Sequence, residues 1–150
     1  KPAYALKDGS HTISITATDN DGNTSAAKTS TFMVDTVPPT LSITAPAEGL
    51  VTNKTTVTVT GKTDDATSKP VTVTVNGATV GTDGSFSKDV SLSNGANKIT
   101  IIATDKAGKT TTVVRNVTLD TAAPVIKSIS ITPNPVDCGK TFIISVEITD

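Results

Sequence analysis

Tryptophan is absent, tyrosine occurs once (Tyr4), phenylalanine three times, and cysteine and histidine once each, as Cys138 and His11. So few aromatics leave little to stack a sugar on, and any core must be aliphatic, built from Val, Ile and Leu. A single cysteine excludes an internal disulfide, the usual staple of small extracellular domains. A single histidine means that a Ser-His-Asp, Cys-His or His-ligated zinc site would have to be assembled around His11 alone. Neither sign of charge is in excess: Lys plus Arg is 13, Asp plus Glu is 14, and the formal charge is −1. That provides no basic field for nucleic acid or an anionic membrane. No apolar run approaches the ~18 residues of a membrane span, and no charged-then-apolar leader opens the chain, so neither membrane insertion nor a signal peptide is expected within these residues.

What is present is a repeat. The string LKDGSHTISITATDNDGNTS, followed by FMVDT, matches LSNGANKITIIATDKAGKTT, followed by VTLDT, with Leu6 falling on Leu92, an offset of 86 residues. Tandem copies at a fixed period imply one structural unit used several times, and such arrays supply reach or surface more often than chemistry. Asp35-Thr36-Val37-Pro38-Pro39 and Asp120-Thr121-Ala122-Ala123-Pro124 occupy equivalent places, where proline fixes φ and removes a strand donor. The expected organisation is therefore residues 1–36 as the C-terminal strands of one partial repeat, 37–121 as a complete repeat, and 122–150 as the N-terminal strands of a third. Linkers this short predict a stiff array.

Within the copies, apolar and polar residues alternate: Ile13, Ile15 and Ala17 with Ser14, Thr16 and Thr18; Val57 and Val59 with Thr56, Thr58 and Thr60; Val71, Val73 and Val75 with Thr72 and Thr74. Period two with threonine on the outer face specifies half-buried antiparallel strand, and no window carries helical spacing. Turn pairs such as Asn76-Gly77, Asp83-Gly84 and Asn94-Gly95 punctuate the runs. In the complete copy, seven strands are expected near 40–45, 55–61, 71–75, 78–81, 85–92, 97–104 and 110–119. The fold class is all-β, an immunoglobulin-like Greek-key β-sandwich in tandem, without the Cys-Trp-Cys core of antibody domains. Its core should include Leu41, Ile43, Val57, Val59, Val73, Phe86, Leu92, Ile99, Ile101, Val117 and Leu119.

The segment VTVNGATVGTDGSFSKDVSLSNGANKITIIATDKAGKTT resembles the bacterial immunoglobulin-like repeats of secreted and cell-surface proteins, in particular the accessory-domain type found beside the catalytic domain of glucodextranase. The resemblance covers residues 39–121, with half-copies at both ends carried by ATDNDGNTS with VDTVPPT and by APVIKSISITPNP. Ala107-Gly108-Lys109 stands where that family usually has AGN. The resemblance implies a non-catalytic spacer or stalk of an adhesin or a multidomain polysaccharide-degrading enzyme, extracellular or on the bacterial surface, and it brings no catalytic residues with it. The other reading is an accessory module that binds carbohydrate or a host surface protein. Adjacent domains of the same chain are the expected partners.

His11 corresponds to Asn97 in the second copy, which makes it a strand-entry residue, and Cys138 after its Pro-Asn-Pro turn has no second thiol nearby. Sequons at Asn23, Asn53 and Asn116 arise easily in so threonine-rich a chain, and a Lys62–Asn116 isopeptide crosslink would need both residues in an apolar core. The aspartates offer more. The topology collects Asp64 and Asp65 after the second strand, Asp105 in the last hairpin and Asp35 in the incoming linker at one pole, a set of hard oxygen ligands suited to Ca²⁺ at the domain junction. Asp120 and Asp150 are the corresponding residues at the next junction. The alternative is that each aspartate simply caps backbone donors at a turn, and Asp19-x-Asp21-Gly22 lacks the terminal Glu of a calcium loop. No cofactor is required by anything in the sequence. The incomplete repeats at the two ends expose complementary strand edges and apolar faces, so head-to-tail self-association through them is expected if the ends are ordered, and mobile or neighbour-covered ends otherwise.

Overall fold

The computed structural model describes residues 5–135 and 137–150; Tyr4 lies outside them. Twelve strands and no helix occur among the described residues, and no helix there is long and apolar enough to cross a membrane. β1 (Gly9–Ile15) and β2 (Lys28–Val34) form an antiparallel hairpin, Gly9 opposite Val34 and Ile15 opposite Lys28. The next eight strands are β3 (Thr40–Ala45), β4 (Leu50–Thr52), β5 (Thr56–Asp64), β6 (Thr72–Val75), β7 (Ala78–Thr82), β8 (Gly84–Ser91), β9 (Gly95–Thr104) and β10 (Thr110–Leu119). They form two sheets, ordered β3-β5-β8 and β4-β10-β9-β6-β7. Chain connections that pass repeatedly between the sheets make this the immunoglobulin-like Greek-key sandwich. β11 (Val125–Thr132) and β12 (Ile143–Thr149) form a separate antiparallel hairpin. Two compact units result, one ending at Leu119 and the other comprising Asp120–Asp150.

The central sandwich is built by the alternation that its sequence shows. In β5, Val57, Val59, Gly61 and Thr63 face inward, while Thr56, Thr58, Lys62 and Asp64 face solvent. Val59, Val71, Val73, Val75, Ile99, Ile101 and Val117 are essentially inaccessible, and Phe86 is 7% exposed. Full burial of each aliphatic side chain contributes about 1.5–3 kcal/mol, which makes up for the scarcity of aromatics. Leu41 and Ile43 are only partly buried and pack against this cluster from β3, whereas Val71, Val75 and Ala103 join it beyond the expected set. Phe86 lies over Gly61, and a Cβ there would meet the Phe86 Cζ at 2.7 Å and clash with the Ser42 carbonyl. Glycine in mid-strand is thus the space into which the one large core ring fits.

The expected strands are found, with one addition. β4 is only three residues long and pairs in parallel with the end of β10, Leu50 opposite Val117 and Thr52 opposite Leu119. Just before it, Glu48 accepts hydrogen bonds from the Asn116 side chain at 2.6 Å and from its backbone N–H at 3.1 Å. Asn76 (φ 48°) and Gly77 (φ 82°) take the left-handed conformations needed by the tight β6–β7 turn. Lys62 and Asn116 are both exposed, so the apolar setting of an isopeptide bond is lacking.

Candidate metal centre

Asp35, Asp65 and Asp105 each stand one residue past the end of a strand, respectively β2, β5 and β9. The chain leaves all three strands at the same pole of the sandwich, and one carboxylate oxygen from each lies within 4.8 Å of the other two. Asp65 and Asp105 are only 6% and 5% exposed. Backbone donors orient all three. Thr67 and Ser68 N–H donate to Asp65 Oδ1 at 2.8 and 2.7 Å, Lys109 N–H donates to Asp105 Oδ1 at 2.8 Å, and Val37 N–H donates to Asp35 Oδ1 at 3.1 Å. Ser68, which sequence reasoning missed, ties two of these loops together: its Oγ accepts from Ala107 N–H at 2.8 Å and its carbonyl from Lys106 N–H at 3.3 Å.

The second oxygens of two of these groups are left over. Asp35 Oδ2 and Asp105 Oδ2 are buried and have no hydrogen-bond partner. A buried carboxylate oxygen without a partner is costly, and carboxylates gathered this closely repel one another. Beside the cluster, Lys69 and Lys106 line an open cleft of about 430 Å³ together with Phe32, Met33 and Asp35. Chemically, the arrangement is a set of hard anionic oxygens with no nucleophile or imidazole among them.

Asp64, expected in the same group, is not part of it. Consecutive strand residues point to opposite faces, so with Asp65 turned inward Asp64 must face solvent. There its Oδ1 pairs with Lys69 Nζ at 2.7 Å and accepts from Asp65 N–H at 2.9 Å. The lysine holds the Asp64 carboxyl below the usual aspartate range, first through the hydrogen bond and then through its charge; the Lys69 ammonium is raised in return.

The two copies of the last hairpin use the same loop. In the central repeat Asp105 N–H donates to the Lys109 carbonyl at 3.0 Å, Gly108 N–H to the Asp105 carbonyl at 3.2 Å, and Lys109 N–H to the Asp105 carboxylate. In the first repeat the corresponding bonds join Asp19 with Asn23 at 3.0 Å, Gly22 with Asp19 at 3.2 Å, and Asn23 N–H with Asp19 Oδ1 at 2.9 Å. Hydrogen bonds from the Asn23 side chain, then its backbone, hold the Asp19 carboxyl below its ordinary range. The linkers correspond as well: Ala122 N–H donates to Asp120 Oδ1 at 2.9 Å as Val37 N–H does to Asp35.

His11 has a structural role. Its ring donates to the Lys7 carbonyl at 2.7 Å, as the Asn97 amide donates to Ser93 at the same distance, and it stacks on Phe32 with ring centroids 5.6 Å apart. Cys138 is exposed.

Strand order, core and repeated loops together define a bacterial immunoglobulin-like module in tandem. The chain belongs to the glucodextranase domain B family, whose model matches residues 39–121, and residues 1–36 match a bacterial Ig-like domain. It is 38% identical over 124 residues to Bacillopeptidase F of Bacillus subtilis (strain 168), a match covering 83% of this chain and 9% of that protein. The chain thus spans under a tenth of its relative's length. Similar solved structures include the fibronectin(III)-like modules of Clostridium thermocellum CbhA, at 19% identity with a TM-score of 0.45, covering 77% of this chain and 64% of theirs. Another is a tetra-tandem repeat from the extending region of a large adhesion protein, at 21% identity with a TM-score of 0.44, covering 95% and 46%.

Proposed function

We propose that the chain is a non-catalytic spacer or stalk segment of a larger extracellular or surface-attached bacterial protein, setting the distance between other domains. The observation that carries this reading is the reuse of one structural solution in successive copies, down to the hydrogen bonds of the Asp19 and Asp105 loops and of the Asp35 and Asp120 linkers. An element whose role is extension needs its folded unit and its joint repeated faithfully, and needs little else. The lone histidine is engaged in closing a turn and the lone cysteine stands by itself, which favours the same reading. A role in binding polysaccharide would call for an aromatic platform. The exposed phenylalanines, Phe32 and Phe142, lie in different terminal segments, and Phe32 is already stacked on His11.

A glycan and extracellular-matrix binding array separates the two roles. A spacer gives no reproducible signal. Binding that survives moderate salt, to a polysaccharide or a host surface protein, overturns the spacer reading in favour of an accessory binding module.

A further inference from the structure

We propose that Asp35, Asp65 and Asp105 form a Ca²⁺ site that fastens the linker leaving the first repeat to the pole of the central repeat. Three features carry it. First, Asp105 is 5% exposed, and its Oδ2, like that of Asp35, is buried with nothing to bond to. Turn capping accounts for one oxygen of each carboxylate and leaves the other unexplained. Second, the Oδ1 atoms are held by backbone N–H groups, so the carboxylates are fixed in orientation before any ligand arrives. Third, the donors are all hard oxygens within 4.8 Å of one another. Oxygens this close can share one Ca²⁺ ion at bonds of about 2.4 Å, and an all-oxygen set without nitrogen or sulfur suits that hard cation. Water and backbone carbonyls would complete the six to eight contacts that Ca²⁺ takes.

The site joins two copies because Asp35 comes from the linker while Asp65 and Asp105 belong to the central sandwich. It is also a property of the repeat. Asp19 reproduces the Asp105 loop, Asp120 reproduces the Asp35 turn, and Asp150 stands at the end of β12 as Asp65 stands at the end of β5. The residues of the cluster thus recur with the repeat. This deepens the spacer reading by giving the spacer a stiffness set by external calcium.

Calorimetric titration of the whole chain with CaCl₂ tests it, together with thermal unfolding in excess Ca²⁺ and in chelator. One ion should bind through this cluster with a dissociation constant on the order of 0.1–1 mM, the range of extracellular modules, and the melting temperature should rise with Ca²⁺. Asp105→Asn keeps an oxygen to accept from Lys109 N–H and should weaken binding at least tenfold; Asp64→Asn, on the solvent face, should leave it unchanged. Proteolysis within Thr36–Pro38 should slow in Ca²⁺ for the wild type and not for Asp35→Asn. No heat of binding and identical melting in both conditions overturn the site, as does equal weakening by Asp64→Asn and Asp105→Asn, the sign of a diffuse acidic surface. Each of these leaves the spacer role standing, since that fails only in the binding array.

Discussion

Ile99 and Ile101 in β9 are 1% and 0% exposed, whereas Ile13 and Ile15, which hold the same places in β1, are 49% and 65% exposed. The local structures are alike: both isoleucine pairs lie on the first strand of a hairpin that ends in the same Asp-initiated loop. The difference is the second sheet. β9 and β10 are covered by β3, β5 and β8, and among the described residues no counterpart of those strands covers β1 and β2. Alternation therefore sets the register and direction of a strand, while burial, and most of the stabilisation, comes from strands distant in sequence.

Core truncations should break this comparison most strongly. Phe86→Ala is expected to cost about 3–5 kcal/mol and Ile101→Ala about 2–5 kcal/mol in denaturant unfolding. Ile15→Ala, chemically the same change in the matching place, should stay within about 0.5 kcal/mol. Equal losses at Ile15 and Ile101 would mean that β1–β2 is covered in solution.

Gly61→Ala comes next. The added methyl group meets the Phe86 ring and the Ser42 carbonyl, and overpacking of this kind costs about 1–3 kcal/mol. Combining it with Phe86→Leu, which clears the ring, should recover part of the loss; strict additivity of the two would show that the ring is not the obstacle.

The uncovered faces give a third, weaker effect. On β11–β12, Ile126 is opposite Ile148, Ile129 opposite Val146 and Ile131 opposite Ile144, an aliphatic face in the place that β3–β5 holds in the central repeat. The central repeat shows how such a face covers a β9–β10 hairpin, so the tail of one molecule is expected to cover the head of another. Sedimentation should detect head-to-tail association at high concentration, reduced by Val146→Asp or Ile15→Asp. A strictly monomeric chain at millimolar concentration would contradict this.

The smallest effect is electrostatic. Glu48 is held below its ordinary range chiefly by the Asn116 side chain and then by its backbone N–H, and Asp64 is lowered by Lys69. Both carboxyls are lowered on folding, so their contribution is present above the ordinary carboxylate range and is lost as pH falls through the lowered values. Lys69 is raised, so its share persists below its ordinary value near 10.5 and fades as pH rises above it. Both sites are exposed, so Glu48→Gln and Asp64→Asn should flatten the acid limb of a stability–pH curve only slightly.

Much of this was legible in the sequence. Period-two runs of Val, Ile and Thr located the strands, and Asn-Gly and Asp-Gly located the turns. β4 was not legible, because three residues are too few to show a period and its parallel partner lies more than sixty positions away. Asp65 was legible in principle: Val57, Val59, Gly61 and Thr63 face inward, and the same parity turns Asp65 in and Asp64 out. The convergence of Asp35 with the other two, and the role of Ser68, depend on loop paths that no local pattern encodes.

The parallel pairing of β4 with β10 has a mechanical consequence. The chain enters the central repeat through β3 and leaves it through β10, and β4 runs in the same direction as β10, so once β3 is drawn off β5, tension on the two ends drags β4 and β10 past each other along their axes. Leu50, Val51 and Thr52 then share the load against Val117, Thr118 and Leu119, and their hydrogen bonds must fail together rather than unzip one after another. Three residues too short for the eye to find in the sequence are thereby placed where a pulled chain resists extension.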